Sequence, residues 1–157
     1  MPMVVNGVLS VQEMLLNLDH EGARRVVREL YKQALKTRDL ARKFAPVDEG
    51  NLEEAIKVHP DELGVKRDAF GRFARTEVEV YIDMDMPIDG RDGKTVGDYA
   101  YIQHEWLTPY GPWKLGEKSV RKQNGQSEQV GGGFLERAAQ AIEDEIEDAL
   151  LDILNDL

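Results

Sequence analysis

Cysteine is absent from the chain, which excludes disulfides, thiolate metal sites and cysteine nucleophiles. Aromatic residues make up only 7% of the 157 positions. No apolar run approaches the roughly eighteen residues that a membrane-spanning helix needs. The opening MPMVVNGVLS has no basic stretch followed by an apolar core and a small-residue cleavage site, so the expectation is a protein that is neither secreted nor membrane-bound. Basic charge is also in short supply. Twenty Lys and Arg stand against thirty Asp and Glu, for a net charge of −10, which makes the whole chain a poor nonspecific binder of nucleic acid, because phosphate neutralisation needs clustered cations and only a local patch could supply them. What remains, 41% hydrophobic and 32% charged, suits one globular domain over residues 1–157 with a single modest core.

The charge that is present is polarised. From Arg24 to Lys43 there are eight basic residues (Arg24, Arg25, Arg28, Lys32, Lys36, Arg38, Arg42, Lys43) against Glu29 and Asp39. From Phe134 to Leu157 eight acidic residues (Glu136, Glu143, Asp144, Glu145, Glu147, Asp148, Asp152, Asp156) stand against Arg137. Two readings follow: solvated helix faces, or helices that lie against each other within a subunit or between neighbouring copies, with complementary charge setting orientation. Arg24, Arg28, Lys32 and Arg38, with Glu143, Glu147 and Asp148, are the candidate contacts of the second reading.

Periodicity supplies the elements. Met3 to Leu9 reads as a brief strand or extended arm with an Asn6-Gly7 turn, and Ser10 and Glu13 form a capping box for a short helix from Val11 to Leu18. Val26, Val27, Leu30, Tyr31, Ala34, Ala41 and Phe44 recur at helical spacing, so a long helix is predicted to end at Ala45, where Pro46 lacks an amide hydrogen. Asn51 to His59 and Thr76 to Asp83 alternate as strands, with Pro60 to Arg75 as a hairpin loop between them. Tyr99 to Trp106 fits either a third strand or a short packed helix. A last helix from Gly133 to Asp156 carries Leu135, Ala138, Ile142, Ile146, Ala149, Leu150 and Ile153 on one stripe. The predicted fold is α+β: an antiparallel sheet of about three to four strands, packed by the long N-terminal-half helix and the C-terminal helix, with long loops at 84–98 and 107–132. The second loop places Tyr110 and Trp113 beside Lys114, Lys118, Arg121 and Lys122, either as a mobile surface or as an arm ordered by a partner protein, with cations able to approach DNA phosphates.

No catalytic constellation emerges. His20, His59 and His104 belong to no His-Glu-x-x-His pattern, and Ser10, Ser119 and Ser127 have no base in motif spacing. Asp89 to Gly93 lacks the alternating carboxylates of a calcium loop. Gly131-Gly-Gly133 ahead of a helix fits phosphate binding only weakly without a preceding strand and a Lys-Ser/Thr pair. The residues argue for a binding or structural protein with no metal and no cofactor.

Four short motifs, in order, resemble the tail-completion or head-tail joining proteins of long-tailed bacteriophages. They are the opening VVNGVLSVQEMLLNL; Ala45-Pro-Val-Asp-Glu-Gly-Asn-Leu52; Tyr99-Ala-Tyr-Ile-Gln-His-Glu105; and Gly133-Phe-Leu-Glu-Arg-Ala138. Glu49 stands where that family usually has Thr, and Trp106-Leu107 where it has Gly. The resemblance implies a structural virion protein, made in the bacterial cytoplasm, forming a ring, hexameric in this family, at the head-tail junction. Its implied partners are further copies of itself, the connector or stopper, and tail-terminator or tail-tube proteins, with phage DNA in transit. Pro46, Asp48, Gly50 and Leu52 would form a corner: Pro46 ends the helix, Asp48 caps the turn, Gly50 takes positive φ and Leu52 begins the sheet. The alternatives are a tail-terminator role in the same neck, or a small acidic inhibitor that mimics DNA to bind a host nucleic-acid enzyme.

Overall fold

The computed structural model describes residues 20–47, 51–59 and 78–156. The predicted N-terminal arm, the helix at Val11 to Leu18 and the loop Pro60 to Arg75 lie outside them. In chain order the elements are helix α1 (His20–Phe44), helix α2 (Asn51–Ala55), strand β1 (Ile56–His59), strand β2 (Glu79–Ile82), a 3₁₀ turn (Val96–Asp98), helix α3 (Ala100–Trp106), helix α4 (Glu117–Asn124) and helix α5 (Phe134–Asn155). The class is α+β, as the periodicity predicts.

Helices α1 and α5 form the main layer and run antiparallel. Arg25 meets Asp156 at 2.9 Å at one end, Lys36 bonds Glu145 midway, and Arg137 lies 4.7 Å over the Phe44 ring at the other end. Val26, Val27, Ala34 and Ala41 of the predicted stripe are buried, with Leu30, Tyr31 and Phe44 partly so. The basic and acidic helices therefore pair within one chain. Thr37 is buried on the same helix and donates to the Gln33 carbonyl four residues back at 2.9 Å, which satisfies its hydroxyl inside the helix.

The sheet corrects the expectation. Among the described residues it has two antiparallel strands, with Val58 opposite Val80 and Ile56 opposite Ile82. Tyr99 to Trp106 is not a third strand, because Ala100–Trp106 folds as α3. Leu52 does not begin the sheet either. It sits in α2, and the strand starts at Ile56. The sequence Asn-Leu-Glu-Glu-Ala is made of good helix formers after a polar first residue, and Leu52, Ala55 and Ile56 are buried at the i, i+3, i+4 spacing of a helical turn. Glu54, which spoils the strand alternation, is the exposed residue of that turn.

Neither long loop is structureless. Within 84–98 the Ile88 amide donates to the Lys94 carbonyl at 3.0 Å and the Val96 amide to Met86 at 2.9 Å, folding a tight reversal over buried Ile88 and Val96. Segment 107–132 contains α4. The core gathers Ala41, Ala45, Leu52, Ala55, Ile56, Val58, Val80, Val96, Ala100, Phe134 and Ala138 between the helix pair and the strands.

Candidate interaction surface

The predicted corner divides into a part that can be followed and a part that cannot. Ala45 still continues the helical hydrogen bonding, its amide donating to the Ala41 carbonyl at 2.8 Å, and Pro46 behind it is buried. Asp48 and Gly50 lie outside the described residues. What secures the end of α1 is Lys122. Its ammonium donates to the carbonyls of Arg42 and Ala45, the latter at 2.7 Å, and to Glu53 Oε1 at 2.6 Å. The last carbonyls of a helix have no partner within it and carry its negative pole, so a cation delivered from another element is the natural complement. The rest of α4 and its exit follow Lys122 in. Ser119 Oγ accepts from the Val47 amide at 2.8 Å, Gln126 Nε2 donates to the Lys43 carbonyl at 2.7 Å, and the Gly131 amide donates to the Phe44 carbonyl at 2.8 Å. Lys122, expected to face a partner, is thus mostly buried in a structural contact.

The next layer is built on Gly131, Gly132 and Gly133. Their backbone lies against the turn at 107–110: the Gly132 amide donates to the Thr108 carbonyl at 3.0 Å and the Gly133 amide to the His104 carbonyl at 2.7 Å. A Cβ on Gly132 would stand 2.8 Å from the His104 oxygen and closer still to that of Leu107, and Gly131 and Gly133 adopt φ of 151° and 66°. The three glycines are a close-approach surface. All three, with Phe134 and Leu135, are buried, so the start of α5 is closed to a phosphate by the chain itself. His104 stacks edge-on against Phe134 at 4.8 Å and Tyr110 at 6.0 Å, and its Nδ1 lies 2.9 Å from Glu105. The Tyr110 hydroxyl is pushed up to about 12 by loss of hydration and then by the Glu136 carboxylate beside it.

On that base stands an exposed aromatic platform. The Trp113 amide donates to the Trp106 carbonyl and the Thr108 amide to the Trp113 carbonyl, both at 2.9 Å, closing the segment at both ends. The two indoles lie 5.9 Å apart at 38°. Trp113 is 52% exposed, Trp106 48% and Tyr101 65%, and Ile102 is exposed as well. Rigid, solvent-facing indoles backed by pinned main chain are the kind of anchor that protein interfaces enrich.

The remaining predicted residues divide plainly. Tyr110, Trp113, Lys114, Lys118 and Arg121 are exposed at the surface, Arg121 bonding Glu117 at 2.6 Å. Arg24, Arg28, Lys32, Glu143, Glu147 and Asp148 are exposed on α1 and α5, whereas the pairs that join those helices use Arg25, Lys36, Glu145 and Asp156. Arg38 bonds its neighbour Asp39 at 2.9 Å. Tyr101, Ile102 and Trp106 were not singled out from sequence. The signal was present in the i, i+4 spacing of Ile102 and Trp106, but it points outward only if the segment is a helix.

Among the described residues no set of three or more His, Asp or Glu is gathered as metal ligands, and no helix is long and apolar enough to cross a membrane. Compared with protein-family models, curated proteins and solved structures, the chain matches none.

Proposed function

We propose that this chain is a structural virion protein of the head-tail junction of a long-tailed phage, assembling as a ring that completes the tail or joins it to the connector while DNA passes. The observation that carries the reading is the division of labour among the motif residues. Ala45, Leu52, Ala100, Phe134 and Ala138 are spent on one core, while the chain's two tryptophans face solvent on a rigid platform. That arrangement suits contact with other proteins. In this reading Tyr110, Trp113, Lys114, Lys118 and Arg121 form the partner-facing surface, the partners being further copies of the chain and connector, tail-terminator or tail-tube proteins. Arg24, Arg28 and Lys32 on one helix, and Glu143, Glu147 and Asp148 on the other, serve contacts between copies, six in the ring the resemblance implies. Acidic residues lining a bore would let DNA slide without sticking. The chain acts without catalysis or a cofactor.

Antibody labelling of tailed particles from cells producing this chain, viewed by electron microscopy, tests the assignment. Label confined to the neck is expected, and particles that carry none contradict it. The exposed acids of α5 favour a second reading, an acidic inhibitor of a host nucleic-acid enzyme. It predicts a soluble host partner and no label on particles.

A further inference from the structure

Exposed large apolar side chains are unevenly placed. Among the described residues seven are exposed, and six of them (Tyr101, Ile102, Trp106, Tyr110, Trp113 and Val120) fall between positions 101 and 120. The seventh is Leu151, 48% exposed near the end of α5. Leu151 shares its face of the helix with Glu147 and Asp148, one turn back, and is followed by Asp152, all three exposed. The platform is instead followed by exposed Lys114, Lys118 and Arg121, with Glu117 the one acid among them. In chain order, one stretch is rich in exposed aromatics, with Trp106 and Trp113 side by side, and runs on into cations, and the other is a leucine in an acidic setting.

The fold keeps these two patches apart. The platform's turn packs on Gly131 to Gly133, where α5 begins, and Leu151 lies eighteen positions beyond Gly133, or about 27 Å along a straight helix. A chain cannot close one patch on its own other patch. Complementary patches at opposite ends of one rigid element generate a head-to-tail contact between copies, which becomes a ring or a filament according to the rotation between them.

We propose that the acidic face of α5 around Leu151 in one copy docks on the Trp106 and Trp113 platform and the basic flank of α4 in the next. The proposal rests on the assembly reading above and names the surfaces that would carry it. Leu151 covers the indoles, and Glu147, Asp148 and Asp152 face Lys114, Lys118 and Arg121, so that apolar contact and salt-sensitive charge pairing both contribute affinity, and charge also sets register and encounter rate.

The test exploits the fact that the chain's two tryptophans are Trp106 and Trp113, so intrinsic fluorescence reports the platform alone. Emission is expected to move to shorter wavelength as wild-type concentration rises and to return with added salt. Trp113→Glu and Leu151→Arg each weaken self-association by about tenfold or more. Mixed one to one they form a dimer and nothing larger, because each retains the face that the other lacks. Arg121→Glu, which keeps both indoles, weakens assembly in the same direction, and an unchanged urea midpoint for all three variants confirms that each still folds. A Trp113→Glu protein that assembles like wild type, a mixture that stays monomeric, or emission that ignores concentration overturns the proposal. Label at the neck together with any of those results leaves the virion assignment standing and removes only these surfaces.

Discussion

At Lys122 one ammonium reaches two helix-end carbonyls and a carboxylate from a position 77 residues beyond Ala45 in the chain. Replacing it with Met keeps the stem but leaves those oxygens poorly partnered, so a loss of about 2 kcal/mol is expected in urea unfolding, against about 0.5 kcal/mol or less for Lys114→Ala at an exposed site. Gly132→Ala drives a methyl group into the His104 and Leu107 carbonyls and is expected to cost about 3 kcal/mol. Gly125→Ala, where the added carbon meets only ordinary contacts at 3.5 Å, is tolerated. Tyr110 offers a spectroscopic check. Its hydroxyl is held up to about 12, so absorbance titration shows a late-ionising phenol whose contribution disappears in Tyr110→Phe. The sign follows from linkage: the stabilisation is full below about pH 10, where an unfolded tyrosine begins to ionise, and is lost as pH rises through about 12.

Among the elements, the helix pair depends on the start of α5. Phe134 is fully buried beneath the 104–110 segment and in the core, so Phe134→Ala is expected to cost about 3–5 kcal/mol. A drop in urea midpoint without change in slope is the observation that checks it. The elements also show what could be read in advance. Both long helices were legible because each repeats an apolar stripe over more than five turns, and Pro46 marks the end of the first. β2 was legible from the alternation of Val78, Val80 and Ile82. The α2 turn was not, because Leu52, Ile56 and Val58 fit a strand parity as well as Leu52, Ala55 and Ile56 fit a helical step, and only helix-forming Glu53-Glu54-Ala55 tips the balance. The contents of 107–132 were hidden for a different reason. Its order comes from polar side chains meeting backbone groups far away in sequence, such as Ser119 with Val47 and Gln126 with Lys43, and no periodicity records such bonds. The platform was half legible: Tyr110 and Trp113 stood out as aromatics among charges, but Trp106 and Tyr101 needed the helix to be known.

The whole molecule carries its net charge of −10 with internal pairing that works only above acid pH. Among the described residues three carboxyls are held below their ordinary values: Asp83 by its hydrogen bond from Lys57, Glu128 by its own backbone amide and by Lys43, and Glu145 by its hydrogen bond from Lys36. A depressed carboxyl stabilises the fold fully above the ordinary range near pH 4 and loses that contribution as pH falls through the lower folded value. Urea midpoints should therefore be level from about pH 7 to 5 and decline below about pH 4; a midpoint that rises on acidification contradicts these assignments. The same polarity, cations following the platform in the chain and acids around Leu151, suits association that salt weakens. The most direct measurement is the molar mass of the purified chain by light scattering over a range of protein and salt concentrations. The account predicts a discrete assembly of several copies that dissociates as salt rises, and a monomer at every concentration, indifferent to salt, contradicts it.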